Sequence, residues 1–278
     1  MTRRSLLTIL LRLVALYVGV VALVWLFQRR LLYAGMGRPD TEAPEDAHLV
    51  VFQAGDGVAV HALEWDAQHD GQGQGRTVVY FHGNGEVIGD DVWIARELVR
   101  RGLGVVLVEY RGYGRSRASE RGPTEAGLYA DAEAVLDGIA ARGIDRSHVV
   151  LWGASLGTGV AAEMATRGRG AAVVLVAPYT SMAAVASAHF PWLPVTLLLE
   201  DRYDTLGKAS RITTPTLVVH GTLDEVVPFE MGKTLADAIA RARLVTVHGR
   251  HHMDLFLGAG ARHLDELAAF ARGVRGQG

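Results

Sequence analysis

At 278 residues the chain has room for one large domain or two small ones, with a core of ordinary size. Hydrophobic residues at 49% and charged residues at 21% exclude an intrinsically disordered chain, and the absence of cysteine excludes a disulfide framework, Cys-ligated metal sites and a thiol nucleophile. The net charge of −2 hides an asymmetry: residues 1–38 hold six arginines and no acid, so the other 240 residues carry 22 basic and 30 acidic groups, a net of −8. An acidic body gives no electrostatic footprint for nucleic acid, and no such partner is expected.

Residues 6–27 are apolar apart from Thr8, Arg12 and Gly19. As a helix at about 1.5 Å per residue they reach roughly 33 Å, enough for a hydrocarbon core of about 30 Å. Arg12 lies near the start of the stretch, where its side chain reaches back toward Arg3 and Arg4 and so toward the interface. No small-x-small cleavage site follows, because Trp25, Phe27, Gln28, Arg29 and Arg30 occupy that place. Residues 1–30 are therefore expected to be an uncleaved single-pass membrane anchor, followed by a linker over 31–47 that includes Pro39 and Pro44. Arginines flank the span on both sides, and a short N-terminal tail is easily left inside, so the body is expected on the extracytoplasmic side.

A single domain is expected over 48–278. Runs rich in β-branched residues at 48–53, 58–65, 77–81, 104–109, 148–152, 172–176, 216–220 and 244–247 predict eight strands. Helical stretches are predicted near 89–101, 124–142, 156–166, 229–241 and 261–272. The first two strands flank a Gly55-Asp56-Gly57 turn and form a hairpin, whereas the later ones alternate with helices. That pattern predicts an α/β fold with a mostly parallel sheet and one antiparallel edge. The glycine-rich stretch at 71–75 precedes a strand instead of following one, so it reads as a flexible connection and not as a phosphate cradle.

Chemistry enters at Gly153-Ala154-Ser155-Leu156-Gly157, a G-x-S-x-G sequence between an apolar strand and a helix of small residues. A strained strand-to-helix turn needs small neighbours, and it lifts the Ser155 hydroxyl to the helix N-terminus. A serine hydroxyl is a weak nucleophile without a base, so an acid and a histidine should follow in the order Ser, Asp, His. Asp224 stands just beyond the strand at 216–220, and His248, His251 and His252 follow the last strand. One of these histidines would take the Ser155 proton on one ring nitrogen while Asp224 holds the other. The cluster lacks the helical i,i+4 spacing of a metal pair, and no metal or other cofactor is expected. Upstream, His82-Gly83-Asn84-Gly85 ends another strand in a tight turn. The Asn84 amide, with Gly85 as the alternative donor, would pair with that of Leu156 as an oxyanion hole.

These residues resemble the α/β-hydrolase superfamily, and within it the membrane-anchored branch related to monoacylglycerol lipases and serine-aminopeptidase-type hydrolases. The resemblance covers 48 to about 272 and includes Tyr110-Arg111-Gly112-Tyr113-Gly114-Arg115-Ser116 and the anchor-proximal Phe27-Gln28-Arg29-Arg30-Leu31-Leu32-Tyr33. It implies an eight-stranded sheet flanked by helices, with a short lid at about 178–211. It also implies His252 as the base, since the branch carries Gly-x-Gly-His-x-Asp where this chain has Gly249-Arg250-His251-His252-Met253-Asp254. His251 thus replaces the second glycine. His82 and His220 are implied to be hydrogen-bonding pillars, and the Tyr110 turn a packed support. The expected activity is hydrolysis of a carboxylic ester or thioester, on an acyl-lipid or acylated protein, through an acyl-Ser155 intermediate. A peptidase or amidase of the same fold, or a non-catalytic binding protein at the membrane, are the alternatives.

Overall fold

The computed structural model describes residues 3–39, 41–66, 75–119 and 122–273. Of the glycine-rich stretch at 71–75 only Gly75 falls among them, and Asp40 of the linker also lies outside. Helix α1 spans Arg3–Leu32. Eight strands follow: β1 (His48–Gln53), β2 (Ala59–Trp65), β3 (Thr77–Phe81), β4 (Gly104–Val108), β5 (Val149–Ala154), β6 (Ala172–Val176), β7 (Thr216–Gly221) and β8 (Ala242–Val247). Interleaved with them are α2 (Val92–Val99), α3 (Glu125–Ala141), α4 (Leu156–Thr166), α5 (Met182–His189), α6 (Val195–Leu198), α7 (Thr205–Lys208), α8 (Phe229–Ala238) and α9 (Arg262–Ala271).

The strands form one sheet in the order β1-β2-β4-β3-β5-β6-β7-β8. Strand β2 is antiparallel to both β1 and β4, and every other pairing is parallel, so β2 alone runs against the sheet. The hairpin at the Gly55-Asp56-Gly57 turn turns the chain back into β2, the chain reverses again before β3, and β4 to β8 are each reached through a helix-bearing crossover. Strands β3 to β6 read as largely apolar runs and are buried, apart from the partly buried Ala154 at the end of β5, as required of a sheet covered on both faces. Alternation then separates two cores. Val79 and Phe81 of β3 pack with Leu128 and Val135 of α3 and Val160 of α4. Val78 and Tyr80 pack with Ile94 and Leu98 of α2 and Leu264 and Leu267 of α9 on the opposite face.

Parallel register brings the ends that matter to one edge. Phe81 of β3 lies opposite Gly153 of β5, Ala154 opposite Val176 of β6, and Gly221 of β7 opposite Val247 of β8. The turns that begin at His82, Ser155, Ala177, Thr222 and His248 therefore share one rim. Strand order reverses between β3 and β5, the place where open α/β sheets present their crevice.

The Tyr110-to-Ser116 turn after β4 is fixed by a buried ion network. Arg111 is 3% exposed and bonds Asp131 of α3 (2.6 Å) and Asp56 of the hairpin turn (2.6 Å). Burial favours a neutral Asp131 carboxyl and the guanidinium opposes this; the net effect still leaves the carboxyl above its ordinary value. The segment expected as a lid, 178–211, carries α5 to α7. Leu193 is buried in it, whereas Phe190, Trp192 and Leu197 are exposed.

Helix α1 is long and apolar enough to cross a membrane, and its apolar window is unburied. From Tyr17 onward it nonetheless runs beside the 178–211 segment: the Tyr17 hydroxyl donates to the Trp192 carbonyl (2.9 Å), Gln28 accepts from the Glu200 amide (2.9 Å), and Arg29 bonds Asp201 (3.1 Å) and Glu200 (2.9 Å). Residues 33–38 of the expected linker pack on the body, with Tyr33 buried and its hydroxyl 3.0 Å from that of Tyr203.

Candidate active site

Ser155 ends the extended run of β5 and precedes the first residue of α4 with φ 48° and ψ −115°. A positive φ in a residue with a Cβ costs of order 1–3 kcal/mol, and here two glycines and the sheet impose it. A Cβ on Gly153 would collide with the Gly157 carbonyl, and one on Gly157 would collide with the Phe81 carbonyl. The turn is thereby pressed against both β3 and α4, and the Ser155 amide is tied to the Val176 carbonyl (2.9 Å).

The Ser155 hydroxyl lies 3.0 Å from Nε2 of His252, whose Nδ1 lies 2.7 Å from Oδ2 of Asp224. With Nδ1 protonated toward the carboxylate, Nε2 is left as the acceptor for the Ser155 proton. Asp224 is held from several sides. Its Oδ1 accepts the amides of Val226 (2.9 Å) and Val227 (2.7 Å), and its Oδ2 also lies 3.2 Å from Nε2 of His220. Burial alone would raise this carboxyl, but hydrogen bonds from His220, His252 and the Val227 amide outweigh it and hold Asp224 well below the ordinary carboxylate range.

His220 is fully buried at the end of β7, and its Nε2 proton is shared between Asp224 and the Val227 carbonyl (3.0 Å). Gly232 of α8 makes room for it, because a Cβ there would run into the imidazole. The loop that carries His252 is anchored to the Asp224 loop by the Leu223 amide on the Arg250 carbonyl (2.9 Å) and the Gly249 amide on Thr222 (3.0 Å). His251 turns the other way. It is exposed, its Nδ1 bonds Glu225 (2.9 Å), and that bond raises its pKa. Asp254 accepts the His251 amide (2.6 Å), which makes it a brace of this loop. His248 is exposed on the rim.

On the other side of Ser155 stands the turn after β3. Gly83 donates its amide to Glu86 (2.7 Å), while among the described residues the amides of Asn84 and Leu156 donate to no other group. Asn84 itself is gripped hard. Its Oδ1 accepts from the Tyr113 hydroxyl (3.0 Å) and the Ala34 amide (3.0 Å), and its carbonyl accepts from the Gly35 amide (3.0 Å). His82 is buried, donates from Nδ1 to the Gly83 carbonyl (2.7 Å) and stacks on Tyr110 at 4.1 Å, while the Tyr110 hydroxyl bonds the His82 carbonyl (3.0 Å). Behind it the Glu109 carboxylate lies 3.5 Å from His82 Nε2, in full burial. The Tyr110 turn is thus a support for the turn that carries Asn84.

Ser155 and His252 open on a cavity of about 630 Å³. One wall is apolar, with Val176, Val226, Met253, Leu255, Phe256 and Leu257; the other carries Arg38, Glu86, Asp90 and Asp91. The second wall was not legible from residue spacing, because its charges come from the linker and from the turn between β3 and α2. Asp91 is buried with one oxygen unpartnered, and burial together with nearby Glu86 raises its carboxyl well above the ordinary range. Among the described residues, no group of three or more His, Asp or Glu is placed to hold a metal.

Comparison with known proteins adds two kinds of finding. A family model described as serine aminopeptidase, S33, matches residues 72–201, and one described as TAP-like protein matches 194–262. An uncharacterized protein of Mycobacterium tuberculosis strain H37Rv is 34% identical over 257 residues, covering 91% of this chain and 90% of that one. The human alpha/beta hydrolase domain-containing protein 17B is 35% identical over 197 residues, covering 70% of this chain and 65% of its own length. The chain belongs to the α/β-hydrolase superfamily. Among solved structures, the Pyrococcus furiosus esterase Pf2001 superposes with a TM-score of 0.71 at 15% identity, covering 88% of this chain and 99% of the esterase. An esterase of Exiguobacterium antarcticum gives 0.64 at 19% identity, covering 81% and 99%. These likenesses are of fold; the family matches make this superfamily member a hydrolase.

Proposed function

We propose that this protein is a serine hydrolase that cleaves a carboxylic ester or thioester through an acyl-Ser155 intermediate. The reading is carried by one observation: Ser155, His252 and Asp224 form an unbroken hydrogen-bonded line, and its Ser155 and His252 end lines the cavity. In the first half-reaction His252 Nε2 takes the Ser155 proton as Oγ adds to the substrate carbonyl. The negative charge that develops on the carbonyl oxygen is met by the Asn84 and Leu156 amides. His252 then gives its proton to the departing alkoxide or thiolate, and the acyl group stays on Ser155. In the second half-reaction water adds to the acyl carbon, His252 accepts its proton, and the carboxylic acid leaves as Oγ is reprotonated. Asp224 holds the imidazole in the tautomer this sequence needs and stabilises the imidazolium that forms in each half.

The apolar wall suits an acyl chain, and the helix at Arg3–Leu32 suits a single-pass anchor, with residues 31–47 leading to the body at 48–278. An acyl-lipid or acylated protein held at the membrane, with the hydrolase domain on the extracytoplasmic side, is the substrate setting that combines the two. The serine-aminopeptidase description of the family match favours amide cleavage as a second reading. A panel of p-nitrophenyl esters of increasing chain length, acyl thioesters and aminoacyl amides, run on wild type and Ser155→Ala, tests both. Ester or thioester turnover that vanishes in Ser155→Ala is the expected result. Preference for the amides would move the assignment to an amidase, equal turnover by both proteins would remove Ser155 as the nucleophile, and no turnover by either would leave only a binding function.

A further inference from the structure

We propose that residues 33–38, which leave the anchor helix, form a strap that positions the oxyanion turn, so that the chain segment outside the hydrolase body sets where the Asn84 amide points. The proposal rests on the reading of Asn84 and Leu156 as oxyanion donors.

The body supplies its own supports to this turn: the Tyr110 hydroxyl on the His82 carbonyl and the Tyr113 hydroxyl on Asn84 Oδ1. The strap supplies the rest. Ala34 donates to Asn84 Oδ1 (3.0 Å), Gly35 donates to the Asn84 carbonyl (3.0 Å), and Arg38 donates to the Gly85 carbonyl while pairing with Asp90 at 2.7 Å. Both acceptors of Asn84 are therefore bound by consecutive amides of the strap. Fixing the side-chain oxygen and the carbonyl of one residue leaves little freedom in its backbone, and its N–H direction follows. The same grip orients the Asn84–Gly85 peptide, which carries the alternative donor.

The strap is itself seated tightly. Tyr33 is buried against Tyr203. Gly35 approaches so closely that a Cβ would lie 2.5 Å from Tyr113 Cε1 and 2.7 Å from the Asn84 carbonyl oxygen. Gly37 takes φ 80° and donates to the Gly112 carbonyl (2.8 Å), in the turn that also bears Tyr113. A passive tether has no need of such contacts. A shift of about 1 Å in a catalytic group costs on the order of 10²-fold in rate, so a segment that fixes an oxyanion donor acts on kcat.

Full-length Gly35→Val, Arg38→Met and Arg38→Lys test the strap by three readouts: kcat and KM on a p-nitrophenyl ester, the thermal midpoint, and the inhibition constant of an alkyl trifluoromethyl ketone. The ketone adds Ser155 Oγ to its carbonyl and so places an oxyanion in the hole. Gly35→Val should lower kcat by about 10²-fold, within the range for loss of one oxyanion donor, and weaken the ketone by a similar factor. KM should stay close to wild type, while crowding at Gly35 lowers the thermal midpoint by a few degrees. Arg38→Met should lower kcat by roughly tenfold, a smaller displacement of the same turn, and Arg38→Lys should restore most of it. If Gly35→Val does not fold, the two Arg38 variants decide the question alone. Unchanged kcat and ketone affinity in folded variants, or a change confined to KM, overturn the strap while leaving the Ser155 reading intact. Full activity in Ser155→Ala overturns the oxyanion reading itself, and the strap with it.

Discussion

Two adjacent histidines meet two adjacent acids in this protein, and the two pairs are of nearly equal length. His252 lies 2.7 Å from Asp224, and His251 lies 2.9 Å from Glu225. Their surroundings differ: the first pair's side chains are 8% and 0% exposed, the second pair's 53% and 63%. The buried pair also has a third member, Ser155, and its acid has two backbone amides and His220 as further donors. Pair distance does not distinguish a buried dyad from a solvated surface contact. What distinguishes them is exclusion of water, which strengthens every charge interaction, and the presence of a group for the second imidazole nitrogen to act upon.

The sharpest way to break this contrast is to remove each histidine in turn. His252→Ala should reduce ester turnover by about 10⁶-fold, the scale expected when a triad base is lost. A comparable loss in His251→Ala with His252→Ala still active would reverse the assignment.

Asp224→Asn comes next, with an expected loss in kcat of about 10³- to 10⁴-fold. It should also change stability against pH. A carboxyl depressed in the folded state stabilises the fold above the unfolded value of about 3.9 and loses that contribution as pH falls through its lower folded value. The variant should therefore show a flatter acid limb in thermal unfolding below about pH 4. An unchanged slope would mean that Asp224 is not held as its bonds indicate.

Asp91 sharpens the comparison from the opposite direction, since it is buried without the donors Asp224 enjoys. Its raised folded value means that the unfolded chain ionises first, so the wild-type fold loses stability as pH rises above the ordinary carboxylate range. Asp91→Asn should leave the midpoint unchanged near pH 4 and raise it by roughly 2–4 °C at pH 8, the shift that about 1 kcal/mol produces in a domain of this size. A midpoint lowered at pH 8 would show the carboxylate to be stabilising. The smallest effect belongs to the exposed pair: His251→Ala and Glu225→Gln should keep turnover within about twofold, because solvated ion pairs contribute little.

Much of the fold was legible because its signals are local. Apolar β-branched runs separated by helical stretches gave eight strands, and the Gly55-Asp56-Gly57 turn gave the single reversed strand. Strand ends moved by one or two residues, as at β8, which starts at Ala242 instead of 244. The site was legible to the extent that it lies in contiguous motifs: the five residues around Ser155, the strand ending before Asp224 and the histidine loop each announce themselves by spacing, and the structure brings them within hydrogen-bond distance. Spacing alone does not tell His251 from His252, because the direction each ring faces is set by bonds from Leu223 and Asp254 to the loop. The grip of residues 33–38 on Asn84 was illegible for a different reason. It is made by the amides of Ala34 and Gly35, which every residue but proline possesses.

The central claim is that Ser155 is the nucleophile, and the most direct measurement is the intact mass of the full-length protein after exposure to a fluorophosphonate, with the modified peptide mapped. A single adduct on Ser155, absent from Ser155→Ala and strongly slowed in His252→Ala, is the predicted result. Equal labelling of wild type and Ser155→Ala, or no labelling of either, would contradict it.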